Sequence, residues 1–165
     1  MFGSLATFLR AVLTRTCLPC LGALLLACAG CGAPGIERLA AAGPGWRIQQ
    51  GQAVWRPSRH RPEWSGDLAV AIREDGSFVF DFSKTPLPVV HGQTTPASWL
   101  IEFPAAKLRF GGKSPPPARF AWLRLQQALS GQPLPDPFQF TRLSEGGWRL
   151  ENTRSGEFIE GYLTP

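Results

Sequence analysis

Four cysteines and two histidines are the side chains of this 165-residue chain with the readiest chemistry. A thiol can pair with another thiol, ligate a metal or accept an acyl group. Cys17, Cys20, Cys28 and Cys31 all lie within the first 31 residues, so the rest of the chain has none for a disulfide or a metal site. His60 is flanked by Arg59 and Arg61, and His91 lies in an apolar run. Neither has a nucleophile or a second ligand at a useful spacing, and they read as a surface residue and a sheet residue. Glu74 and Asp75 are explained by the turn that Gly76 announces. No strand–turn–helix serine motif and no Gly-rich phosphate loop is present. The expectation is a protein that is not an enzyme, with no catalytic residues, no metal and no cofactor; polar groups clustered in a cleft would be the sign of an envelope hydrolase instead.

The cysteines have a different use. Arg10 and Arg15 precede an apolar run over 17–27, and small residues follow, the order of a bacterial export signal. The run is too short to cross a bilayer, which takes roughly 20 residues. Leu25-Leu26-Ala27-Cys28 resembles the lipobox of bacterial lipoproteins, whose cysteine is diacylated and becomes the mature N-terminus. Cys31 is the competing acceptor, but it has Cys28 where the pattern wants a leucine-like side chain. Cys28 is therefore the expected lipid and palmitate site, with 1–27 a signal peptide. Acyl chains contribute about 0.8 kcal/mol per buried CH₂, which makes a multiply acylated anchor lasting. Ala29, where an inner-membrane retention signal would have Asp, implies the outer membrane, with the domain facing the periplasm.

Those side chains must be carried by a body without cross-links. Residues 28–45, rich in Ala, Gly and Pro, read as a flexible tether, and 46–165 as one β domain. Seventeen Lys and Arg against twelve Asp and Glu give a net charge of +5, of which Arg10 and Arg15 belong to the leader. Arg56, Arg59 and Arg61 form the one local basic cluster. That is too little for a nucleic-acid stripe, and it fits an anionic membrane surface or no partner. Nine short β-rich runs, at 52–56, 67–73, 77–83, 89–93, 98–103, 107–110, 138–143, 148–152 and 157–163, are bounded by turn residues. The fold class expected is mainly β, a curved antiparallel sheet or half-open barrel with one main covering helix.

The second and third runs predict their own register. A three-residue turn, Glu74-Asp75-Gly76, sets Ile72 opposite Phe78, Val70 opposite Phe80 and Leu68 opposite Phe82. A two-residue turn would mix the faces. The three-residue form needs a left-handed residue, which Gly76 supplies. A helix is predicted over 118–129, after Pro115-Pro116-Pro117, with Gly131 as its stop. The turns at 145–147 and 153–156 read as hairpins.

Leu68, Val70, Ile72, Phe78, Phe80, Phe82, Trp99, Ile101 and Phe103 place large apolar side chains on single strand faces. Taken alone they read first as packed core. The alternative is a face only partly filled, with room for an acyl chain. Leu87, between Pro86 and Pro88, is predicted at a projecting tip, because prolines remove ladder donors.

The apolar strand 78–82, followed by Ser83-Lys84-Thr85-Pro86-Leu87-Pro88, resembles the outer-membrane lipoprotein receptor family LolB of the LolA/LolB-like superfamily. Gly51-Gln52-Ala53-Val54 at the first strand is similar too, as is Ala128-Leu129-Ser130-Gly131-Gln132-Pro133-Leu134-Pro135 after the helix. The loop reads Thr-Pro-Leu-Pro where the family has Asn-Pro-Leu-Gly. The helix before the first strand shrinks to the stretch around 36–42, and the chain reaches Pro165 with one or two strands fewer. The resemblance implies a half-open barrel that binds the acyl chains of lipoproteins, with Leu87 as its membrane contact and the nine apolar residues above lining the cavity. It also implies a chaperone-like role in lipoprotein localisation and protein transport at the outer membrane, with cargo handed over by a periplasmic lipoprotein carrier and no nucleic acid involved. The rival expectation is a tethered structural or interaction module with a fully packed core.

Overall fold

The computed structural model describes residues 35–164, so the expected signal peptide, Cys28 and the other three cysteines lie outside the described residues. Nine strands form one curved, unclosed antiparallel sheet. In chain order they are β1 (Trp46–Arg56), β2 (Trp64–Arg73), β3 (Phe78–Lys84), β4 (Leu87–Thr94), β5 (Ser98–Phe103), β6 (Leu108–Lys113), β7 (Phe138–Arg142), β8 (Trp148–Asn152) and β9 (Glu157–Thr164). Their order across the sheet is β6-β5-β4-β3-β2-β1-β9-β8-β7, so β9 returns to pair with β1, and β6 and β7 are the outer edges. Each of the nine runs expected from sequence is a strand. β1 begins earlier than expected, because the polar stretch from Trp46 to Gly51 pairs with β2 throughout, and Gln50 and Gly51 pair with β9 as well.

Cross-strand burial sets the register. Ile72, Val70 and Leu68 lie opposite Phe78, Phe80 and Phe82, as the alternation requires. The turn between them has three residues: Arg73 N–H donates to Ser77 O at 2.9 Å, Gly76 N–H donates to Arg73 O at 3.0 Å, and Gly76 has φ +82. Asp75 stiffens it by accepting from Arg73 and, at 2.8 Å, from Ser77 N–H. Those two hydrogen bonds, the Arg73 one first, hold its carboxyl well below the usual carboxylate range. On β4, Gly92 lies opposite Phe80, and a Cβ there would fall 2.3 Å from the ring, so glycine makes the space in which Phe80 lies flat.

The helix differs from the expectation. A 3-10 turn over Ala121–Arg124 leads into α1 (Leu125–Leu129), while Phe120 before it is extended. The segment cannot start its helix at 118, because Phe120 spreads its ring over Trp99, Phe103 and Phe110 at centroid distances of 5.9, 6.4 and 5.5 Å. The end is as expected. Gly131, at φ +72, donates to Ala128 O and Gln132 donates to Gln127 O, the paired bonds of a Schellman cap.

The other face of the sheet carries a strap. Leu39 N–H donates to Gln93 Oε1 at 2.7 Å, and Gln93 Nε2 donates to Glu37 O at 2.8 Å. Arg38 Nε reaches Glu102 Oε2 at 2.6 Å, and Arg109 binds both Glu102 and the Ile36 carbonyl. The stretch expected as a flexible tether is therefore bound to β4, β5 and β6 over residues 36–39. The buried amide of Gln93 serves as its two-point anchor.

Candidate functional site

The concave face gathers the apolar residues predicted for it. Leu68, Val70, Phe78, Phe80, Phe82, Trp99 and Ile101 are buried in one cluster, with Ile72 and Phe103 packed against it. The cover comes from the segment expected to supply the covering helix, and its central side chain is Trp122. Trp122 stacks on Phe80 with centroids 5.2 Å apart and planes 11° apart, and it also meets Phe82 at 5.2 Å and Trp55 at 5.9 Å. Leu125, Ala121 and Ala128 complete the cover.

The partly empty interior expected beneath the helix is therefore corrected: Phe80 is 0 % exposed, and the indole of Trp122 occupies the space. The physical reason is general. An apolar chamber left open to water forfeits about 25 cal/mol for each Å² it could bury, so a chain with a spare aromatic side chain fills it. Two surface depressions of about 660 and 570 Å³ are present, the first away from this face and the second at its rim, where Leu129 of the cover and Ile72 both border it. The first is bordered by Gln52, Asp67, Glu145, Glu160 and Tyr162, the second by Arg47, Gln49, Gln126 and Leu129. Of the predicted cavity residues only Ile72 borders either one, the second.

The cover is held by few polar contacts. Glu157, buried at the start of β9, accepts from Trp55 Nε1 at 3.1 Å and from Ala121 N–H at 3.4 Å. Burial pushes its carboxyl up to about 7, against the smaller lowering effect of those two donors. The carboxylate thus replaces the side-chain N-cap that the helical segment lacks. At the far end Gln126 Nε2 donates to Gly76 O at 3.1 Å and its Oε1 accepts from Thr94 at 3.2 Å. Arg124 donates to Pro116 O at 2.6 Å. The Trp122 indole N–H is buried without a partner, a cost of about 1–3 kcal/mol for seating that ring here.

Leu87 lies where the paired prolines place it. It is 67 % exposed at the β3–β4 hairpin tip, opposite Lys84. The strand is not interrupted, however. Pro88 pairs with Ser83 next to a register shift after Phe82, and β4 first bonds β5 only at His91. The missing N–H of Pro88 therefore leaves no unmet partner, and the tip stands clear of β5.

His91 is a sheet residue, as expected, with its Nδ1 2.7 Å from Asp81 Oδ1; its buried Nε2 has no hydrogen-bond partner. His60 is exposed. No group of three metal-ligating side chains occurs among the described residues. No helix among them is long and apolar enough to cross a membrane. In sequence the chain matches no protein-family profile and no curated protein.

Proposed function

We propose that this protein is a membrane-tethered, non-catalytic acyl-chain receptor of the LolB type, anchored through Cys28 to the outer membrane and facing the periplasm. Its acyl-chain site is the concave face lined by Leu68, Val70, Phe80, Phe82, Trp99 and Ile101. In the empty protein Trp122 and Phe120 take the place of cargo, and Leu87 is the point of delivery to the bilayer. The observation that carries this reading is the cover itself. A broad aromatic face is closed by one nine-residue helical segment that lacks a side-chain N-cap and brings in an unpartnered indole N–H. A segment bound in this way can be displaced by a chain that buries the same face.

A second reading, a tethered interaction module with a permanent core, is favoured by the near-complete burial of Phe78, Phe80 and Ile101. Native mass spectrometry of the full chain purified from membranes, followed by titration with a synthetic acylated cysteine peptide, separates the two. The receptor reading requires a co-bound lipid or lipopeptide mass and faster proteolysis within 114–137 as peptide is added. Absence of both leaves the packed module.

A further inference from the structure

The sheet's two ends differ in a way that the acyl-chain site does not explain. The β1–β2, β3–β4 and β5–β6 connections all fall at one end, and each presents a large exposed apolar side chain. These are Trp64 at 42 %, Leu87 at 67 % and Leu108 at 50 % exposure. A cation lies near each one: Arg61 is three residues before Trp64, with Glu63 between them, Lys84 pairs with Leu87, and Lys107 precedes Leu108. Arg59 and Arg154 lie at the same end, where Arg59 donates to the Thr153 carbonyl at 2.9 Å and so braces the β1–β2 loop against the β8–β9 turn. Of the acids there, Glu157 is buried, Glu63 lies 3.7 Å from Arg56, Asp67 accepts from Thr85, and Asp136 is exposed just before β7. At the opposite end the tips carry Glu74, Asp75 and Glu145, and the exposed apolar side chains there include Leu143 at 39 %, beside Arg142, and Ile48 at 53 %, beside Arg47 within β1.

Two of the tips are braced against each other. β2 runs three residues beyond its last pairing with β3, from Asp67 to Trp64, and the β3–β4 tip rises beside it. Thr85 Oγ1 donates to Asp67 Oδ2 at 2.7 Å across the two hairpins. Isolated exposed leucines are ordinary, but three apolar tips at one sheet end, each near a cation, match an interface with apolar chains below and anionic headgroups above.

We infer that this end of the sheet is a docking surface for an anionic phospholipid bilayer, with Trp64, Leu87 and Leu108 entering the acyl boundary and Arg61, Lys84 and Lys107 meeting lipid phosphates. The inference rests on the proposed function only in placing the protein at a membrane, and it holds whether or not an acyl chain is carried. Each cation near an anionic leaflet strengthens attachment about fivefold. The surface therefore also fixes which way the domain faces while it is attached.

The test uses the full lipidated chain reconstituted into vesicles of phosphatidylcholine alone or with roughly 30 % phosphatidylglycerol, an anionic fraction of the kind that recruits basic segments. Hydrogen exchange is followed over residues 57–63, 85–87 and 104–107. Slowing at all three tips in the anionic vesicles by about fivefold or more, reversed by high salt, is the expected result. Arg61→Glu with Lys84→Glu should abolish it, while Lys113→Glu at the other end should not. Equal exchange in the two vesicle types overturns the inference, as does protection at 74–76 and 144–146 instead. Loss of acylated-peptide binding with tip protection intact sinks the receptor reading alone.

Discussion

Trp55 of β1 and Glu157 of β9, 102 residues apart in the chain, share a buried hydrogen bond of 3.1 Å beneath the first turn of the covering segment. The same carboxyl takes the backbone N–H of Ala121, next to the ring that fills the concave face. One acidic side chain thereby connects the floor of the aromatic face to its cover, and protonation of that side chain bears on how the cover is held.

Stability should carry the signature of Glu157. Its carboxyl is raised from an ordinary 4.5 to about 7, so between those values the folded protein holds a proton that the unfolded chain releases. The contribution is fully present below pH 4.5, declines as pH rises to about 7, and is flat above. The loss is about 3 kcal/mol at most. Urea midpoints at pH 5 and pH 8 measure it, and Glu157→Gln should flatten the slope. An equal slope in that variant would assign it to other groups.

Trp122→Ala should destabilise the empty protein by about 3–5 kcal/mol, the usual cost of an aromatic deletion from a core. If Trp122 holds the place of cargo, the same variant should bind an acylated peptide more tightly. Thermal melting and a fluorescence titration read the two effects. Weaker binding would make the indole part of the cargo site.

Leu87→Glu should leave the melting temperature unchanged, since the side chain is exposed, with a stability change within about 0.5 kcal/mol. Transfer of an acylated peptide to vesicles should fall sharply, because a charge at the tip opposes entry into lipid. Undiminished transfer would remove Leu87 from the mechanism.

Gly76→Val isolates backbone strain. No heavy atom lies within 4 Å of a Cβ built there, so the cost of φ +82 is conformational and should reach about 1 kcal/mol or more by equilibrium denaturation. Gly76→Asn should cost less, because asparagine tolerates this region.

Cys28→Ser should yield a soluble or unprocessed species on fractionation, while Cys31→Ser should remain with the membrane. The reverse pattern would move the anchor to Cys31.

β-rich runs bounded by turn residues were enough to find all nine strands, and the β2–β3 register followed from alternation and from pairing aliphatic with aromatic residues around Gly76. The covering segment was harder to read. Phe120 and Trp122 are two residues apart, a spacing that belongs to an extended chain rather than to one face of a helix, and that was the available sign that the helix could not begin at 118. Glu157 gave no such sign. Its altered acidity depends on burial under a segment 36 residues away, and nothing local to β9 encodes it. The strap at 36–39 was equally hidden, because its anchor, Gln93, looks like an ordinary strand polar residue until its amide is found buried.

β6 and β7, the two edges of the open sheet, are joined by residues 114–137, and that connection is the stretch that crosses the concave face. Mechanically the sheet is a bow and this connection its string. Shortening the string should bend the limbs together, and lengthening it should let the arc flatten. Deletions or insertions within the exposed run from Ser130 to Pro133 would therefore tune curvature without touching a single residue of the aromatic face.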